Sequence, residues 1–298
     1  MITILSFGGG QDSTLILYRI VFDPRFRRRY VKGRLIVVMS DTGDEHIQTY
    51  EHIAFIQSFC QRHDIEFYFL RPADGYHPAG CFGLIPWLKK NSSIMSKAYA
   101  KTCTDNLKIR PIYNFLDEYI GRRIYHEDIP YRQSRKGFIK RYVQRHGKIN
   151  VLLGISAEEK HRLGKPLRTP WMIECIQRVY PLVELGMTRQ RCQDWIVAHG
   201  LPLPPPSNCM RCPFLSEVEL VWLFRFYPAY FHEWVEMERK KVQKCKTAGI
   251  PDNRNLGVNG SRMLPEMLRI ALEKYGHWTD AALNDYKMSH GHCVRSKY

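Results

Sequence analysis

Apolar and polar positions fall into short blocks over the first seventy residues. Ile2 to Ser6 is a β-branched run that leads into glycines, the pattern of a buried parallel strand. Leu15, Ile16, Leu17 and Ile20 then line one face of a predicted helix. Leu35-Ile36-Val37-Val38-Met39 predicts a second buried strand, which ends at Ser40-Asp41-Thr42-Gly43. Ile53, Ile56 and Phe59 share a face within a helical pattern from about Ile47 to His63, and Glu66 to Leu70 reads as a third strand. This β-α-β-α-β order predicts an α/β fold with a doubly wound parallel sheet, whose ligands gather near the carboxyl ends of the strands.

Regularity is lost between Tyr76 and Lys101, where Pro78, Gly80, Gly83 and Pro86 predict a long loop. A helix is expected from Leu107 to Tyr119, and a fourth strand over Val151 to Ile155. Leu201 to Pro206 is dense in proline and divides the chain into residues 1–203 and a mostly helical, cysteine-containing region, 204–298. Within that region one long helical stretch is predicted over about Ser216 to Lys246. Its crowded aromatics, Trp222 to Trp234, are best explained as core. One more helix and a His/Cys-rich tail complete the pattern.

Charge adds a partner class. The chain of 298 residues holds 45 Lys and Arg against 29 Asp and Glu, a formal excess of +16 that points to a polyanionic partner. The surplus clusters at Arg25 to Arg34, at Arg239 to Lys246, and at Arg132 to Lys148, where seven basic residues stand with no acidic one. This last stretch reads as part of a basic surface insertion over about 122–148. These segments suit a nucleic-acid backbone, DNA or RNA. No apolar stretch approaches the ~20 residues of a membrane span, and the N-terminus lacks the marks of a secretory signal. A cytoplasmic protein with no membrane partner is therefore expected. The nine cysteines then point to metal, redox or core roles before disulfides.

The candidate chemistry starts at Gly8-Gly9-Gly10-Gln11-Asp12-Ser13-Thr14, between the first strand and the first helix. Glycines there allow a tight turn whose N–H groups face an anion at a helix N-terminus. The lysine of a Walker P-loop is missing. With Ser6 and Phe7, the run resembles the S-F-S-G-G-K-D-S-T pyrophosphate loop (PP-loop) of the adenine nucleotide α-hydrolase superfamily, which includes ATP pyrophosphatases and phosphoadenosine phosphosulfate (PAPS) reductases. Further stretches match in order: Asp41-Thr42-Gly43 with Thr49-Tyr50, Cys103-Thr104-Asp105-Asn106-Leu107-Lys108-Ile109-Arg110-Pro111, and Tyr180-Pro181-Leu182 through His199-Gly200-Leu201-Pro202. Gly154-Ile155-Ser156 through Arg162 resembles the G-I-R-x-x-E-S-x-x-R segment without its first arginine and its serine. Gly8 and Gln11 stand where the family has serine and lysine.

The resemblance implies an adenine nucleotide held by Gly8 to Thr14, Asp41, Thr42, Gly43 and Lys108, with Asp12, Ser13 and Arg162 in catalytic roles. Mg²⁺ would be held by Asp12, helped by Asp41. Because Asp12-Ser13 is intact and no Glu-Cys-Gly occurs in the tail, the resemblance favours ATP cleavage at the α–β bond over reduction of a sulfated nucleotide. Within the family the chain is similar to the sulfur-incorporating ATPase of DNA phosphorothioation and to phage PAPS-reductase-like proteins. That likeness implies sulfur transfer on nucleic acid, with a sulfur-donor protein as a further partner. The alternatives are a sulfonucleotide reductase using Cys293 and a degenerate module that only binds nucleic acid.

Cys209-Met210-Arg211-Cys212 has spacing that lets two thiolates reach one metal. The resemblance joins Cys209 and Cys212 to Cys103 on a 4Fe-4S cluster, with Cys81, Cys192, Cys245 or Cys293 as candidate fourth ligand. Zinc held by Cys209, Cys212 and a tail residue (His290, His292 or Cys293) is the alternative. Cys60, Cys175 and Cys192 are expected in the core.

Overall fold

The computed structural model describes residues 1–99, 102–163 and 169–289; the side chain of Arg162 also lies outside the described set. Five parallel strands form one sheet in the order β3-β2-β1-β4-β5. They are β1 (Ile2–Ser6), β2 (Arg34–Ser40), β3 (Glu66–Leu70), β4 (Ile149–Leu153) and β5 (Ile176–Val179). β1 pairs with β2 on one side (Ile4↔Ile36) and with β4 on the other (Ile4↔Val151).

The sheet is doubly wound because side chains leave alternate faces of a strand. On β2, Leu35, Val37 and Met39 enter one core, while Ile36 and Val38 enter the other. The first core is filled by the helices Gln11–Phe22 and Ile47–Arg62, through Leu15, Ile16, Tyr18, Ile53, Ile56 and Phe59. The second is filled by the helices Arg110–Ile120 and Gly137–His146, through Leu116, Ile120, Phe138 and Ile139. Both faces are therefore covered, as an all-parallel sheet requires. The predicted α/β architecture is present.

Several local expectations are revised. The fourth strand runs Ile149–Leu153, two residues ahead of the pattern, and β5 was not foreseen. Only four residues long, β5 lies too close to the adjoining helix Pro170–Cys175 for periodicity to separate them. The loop at 76–101 contains a helix, Leu84–Lys90. The long C-terminal helix is two, Glu217–Phe226 and Pro228–Thr247, broken at Pro228. Two more helices follow, Leu264–Tyr275 and Asp280–Ser289.

The basic stretch 132–148 is more than a surface insertion. Its helix Gly137–His146 buries Phe138, Ile139 and Tyr142 while Lys140, Arg141 and Arg145 stay exposed. Asp117 accepts a hydrogen bond from the Ile139 N–H at 3.0 Å. Apolar spacing within a charge-rich run explains why composition alone misread it.

The chain divides into two compact units, one of residues 1–41, 47–78 and 105–207, the other of 42–46, 79–104 and 208–298. The sheet and both of its cores belong to the first. The second has its own core, built from Val221, Trp222, Phe231, Trp234, Val258, Leu264 and Leu283, which absorbs the crowded aromatics. Among the described residues no helix is long and apolar enough to cross a membrane.

Ile139 is fully buried beneath the basic helix. Ile139→Ala should lower the unfolding free energy by about 2–5 kcal/mol in urea titrations. A dispensable surface insertion would show almost no change.

Candidate functional site

Strand order 3-2-1-4-5 reverses direction between β1 and β4, so the connections after these two strands depart to opposite sides. A crevice at such a switch point is where open α/β sheets bind ligands. The glycine turn follows β1, and Gly154 follows β4.

Gly154 lies so close to the turn that a Cβ there would fall 2.7 Å from the Ser13 amide nitrogen. Only glycine lets the end of β4 press against this first helical turn. Gly9 has φ +72°, a left-handed conformation, with Thr49 packed beside it. The following helix, Gln11–Phe22, has Gly10 at its N-cap and no side-chain capping bond. Helix geometry leaves its first N–H groups without intrahelical acceptors.

Side chains of the turn divide into three roles. Ser13 closes the loop on itself: its Oγ accepts from the Gly8 N–H at 3.2 Å and donates to the Gly10 carbonyl at 3.1 Å. Gln11 points into the protein, donating through Nε2 to the Pro204 carbonyl at 3.1 Å and accepting from Gln193 at 2.9 Å. Gln11 therefore fastens the turn to the proline-rich segment. That segment adds a hydrogen bond from Ser207 Oγ to the Gly8 carbonyl, and Pro202 accepts one from Tyr18. Leu201 to Pro206, expected as a boundary, is a strap against the turn.

Asp12 is the charged group of the turn. Its carboxylate lies 3.9 Å from the Arg189 guanidinium, which also donates to Glu159 at 3.1 Å. Residues from three of the sequence stretches thus meet: the glycine turn, the 154–162 segment and the helix Arg189–Ala198. Arg189 was not among the residues singled out from the sequence, because its meaning comes from Asp12 and Glu159, which are distant in the chain.

Behind the turn, Thr14 Oγ1 pairs with His52 Nε2 at 3.0 Å. His52 is buried and stacks against Phe7 and Phe55. Burial holds its imidazole near pKa 4, so it stays neutral at physiological pH.

Asp41 directly follows β2, and Tyr50 donates to its carboxylate at 2.9 Å. Its carbonyl pairs with His77 Nε2 at 2.8 Å, and Ser40 Oγ donates to the Leu107 carbonyl at 2.6 Å. Leu107 belongs to a π-helical turn, Thr104–Ile109, that carries Lys108 and opens the helix Arg110–Ile120. Such turns are frequent at functional sites. Tyr50 and the motif around Leu107 are thereby tied to the end of β2. His77 lay in the stretch read only as loop, and no spacing signal marked it.

Thr42 and Gly43 belong to the second unit together with the cysteine turn. Thr42 Oγ1 donates to Glu45 at 2.9 Å and lies 3.7 Å from the Cys209 thiol, which itself donates to Glu45 at 3.9 Å. Arg211, inside the Cys-x-x-Cys, pairs with Asp44 in a buried ion pair and with the partly exposed Glu233. Burial pushes the Asp44 carboxyl up to about 7, with Arg211 opposing. Half of this turn's chemistry is thus a structural clamp. Among the described residues, no three His, Cys, Asp or Glu side chains converge as a metal site. Cys103, Cys209 and Cys212 are therefore not gathered as a cluster ligand set. Cys60, Cys175 and Cys192 are buried in the cores. The tail with His290, His292 and Cys293 lies outside the described residues.

No protein-family model matches the chain, and comparison with curated proteins gives no match.

Two outcomes follow from this geometry. Gly154→Ala drives a methyl onto backbone, which cannot swing aside, and should cost about 1–3 kcal/mol of stability in denaturant unfolding; an unchanged midpoint would refute the close approach. A histidine whose pKa is depressed in the folded state binds protons preferentially in the unfolded chain. Stability should therefore fall as pH drops from about 6.5 toward 4. His52→Gln should flatten that loss in unfolding titrations, and an equally steep profile would show that His52 is not its source.

Proposed function

We propose that the chain is a PP-loop enzyme that binds an adenine nucleotide at the carboxyl ends of β1 and β4 and cleaves ATP between its α and β phosphates. The observation that carries this reading is a glycine-rich helix start, with Gly10 as the N-cap of Gln11–Phe22 and no side-chain capping bond, at the sheet's switch point. Backbone N–H groups at such a terminus suit phosphate oxygens. Asp12, at the start of that helix, is the carboxylate suited to Mg²⁺, a cation commonly bound through one or two carboxylates plus phosphates. Bound Mg²⁺ would offset charge building on the departing pyrophosphate. Ser13 keeps the loop closed, and neutral His52 supports Thr14 from behind.

Coupling to sulfur transfer on nucleic acid is the part of the reading supported by surface charge. Arg25, Arg27 and Arg28 stand exposed on the helix Pro24–Tyr30, and Lys140, Arg141 and Arg145 on Gly137–His146. These are exposed cations suited to a phosphate backbone. Among the described residues, Cys103, Cys209 and Cys212 do not come together as a metal site.

A second reading, a module that binds nucleic acid without hydrolysing ATP, is favoured by one observation. Gln11 offers no cation and is engaged with Pro204 and Gln193.

Pyrophosphate release from ATP separates the two. Wild-type protein should release it, and Asp12→Ala should lower the rate by about 100-fold or more. Release that is indifferent to Asp12 would contradict the proposed role. Salt-sensitive nucleic-acid binding with no ATP bound in calorimetry would select the second reading.

A further inference from the structure

A turn that holds a di- or triphosphate must meet several negative charges, and backbone N–H groups alone supply only partial ones. Gln11 adds no charge, and its side chain is committed elsewhere. Arg189 is the cation that the described contacts bring to Asp12. It enters from the first turn of the helix Arg189–Ala198, which Thr188 caps by accepting from the Arg191 N–H.

Its setting is that of a positioned side chain. Glu158 accepts a hydrogen bond from the Arg189 N–H at 3.2 Å, and Glu159, almost fully buried, takes one edge of the guanidinium through Nη2. The same Nη2 is the atom facing Asp12. A guanidinium carries five donors. Its Nε and Nη1 have no hydrogen-bond acceptor among the described residues, so these two nitrogens remain available to donate to phosphate oxygens. Several donors on one fixed cation suit arginine to phosphate.

Two buried hydroxyls beside the same turn provide an independent observation. Thr49 is fully buried and packs against Gly9, yet its Oγ1 has no hydrogen-bond partner among the described residues. Two residues beyond Gly154, the Ser156 hydroxyl is equally buried and equally without one. Buried hydroxyls are costly to leave unpaired. Two of them around one glycine turn suit an oxygen-rich ligand.

We propose that Arg189, held by Glu159, binds the phosphate oxygens of the nucleotide and supplies at this turn the positive charge that Gln11 does not. The proposal rests on the nucleotide-binding reading above and deepens it. It assigns a binding residue, and it limits that residue to the phosphates, with no contact to base or ribose.

Calorimetry with ATP, inorganic pyrophosphate and adenosine tests it on the full chain. Arg189→Ala should weaken ATP and pyrophosphate binding by about 10–100-fold and leave adenosine affinity unchanged. Arg189→Lys keeps the charge but not the fork and should recover part of the loss. Thermal unfolding checks that each variant is folded; should the alanine variant unfold, Arg189→Lys and Arg189→Gln carry the comparison. ATP and pyrophosphate affinities equal to wild type in folded Arg189 variants would overturn the assignment and leave the nucleotide site standing. Equal losses for ATP and adenosine would mean a structural role and would also overturn it. Wild-type protein that binds neither ATP nor pyrophosphate would instead remove the nucleotide reading itself, and the assignment with it.

Discussion

The contact between Gly154 and the first turn of the helix Gln11–Phe22 is the constraint on which the site depends. With 2.7 Å between the Ser13 nitrogen and any Cβ at residue 154, β4 can end there only without a side chain. This places the end of β4 against the start of a helix launched from β1, at the point where strand order reverses. The other features of the turn build on that approach. Ser13 closes the loop, Gln11 and Ser207 fasten it to the proline strap, and Asp12 is left facing Arg189. Packing, rather than any single charged residue, fixes where this helix begins.

Charge is arranged by the same separation of tasks. Buried ions are committed to partners: Arg189 to Glu159 and Asp12, Arg211 to Asp44 and Glu233, Lys287 to Glu219. Such pairs define geometry more than they add stability, because desolvation offsets much of the Coulomb gain. Exposed arginines and lysines on the helices Pro24–Tyr30, Gly137–His146 and Pro228–Thr247 contribute to the net excess of +16. Surface charge of that kind acts through long-range attraction and is weakened by salt.

Much of the sheet was legible because buried parallel strands are continuous apolar runs, and Ile2–Ser6, Leu35–Met39 and Glu66–Leu70 have little else to be. The glycine turn was legible for a related reason, since a tight turn between strand and helix leaves few residue choices. What escaped depended on tertiary contacts. β5 is short and abuts a helix, so no period marks it. The basic helix hides three core residues among cations. Arg189 acquires its meaning only from Asp12 and Glu159, which lie far away in the chain. Gln11 has no sequence signal for its bonds to Pro204 and Gln193. The three cysteines show the converse case, where a persuasive spacing does not gather a ligand set.

The central claim is that phosphates bind at the β1–β4 switch point through backbone N–H groups. Amide chemical-shift mapping in ¹⁵N-labelled protein, with inorganic pyrophosphate as titrant, tests it most directly. The account predicts that the largest shifts fall on the N–H groups of Gly9 to Ser13 and on Gly154. Shifts confined to the exposed basic helices Pro24–Tyr30 and Gly137–His146, with the glycine turn unmoved, would contradict it.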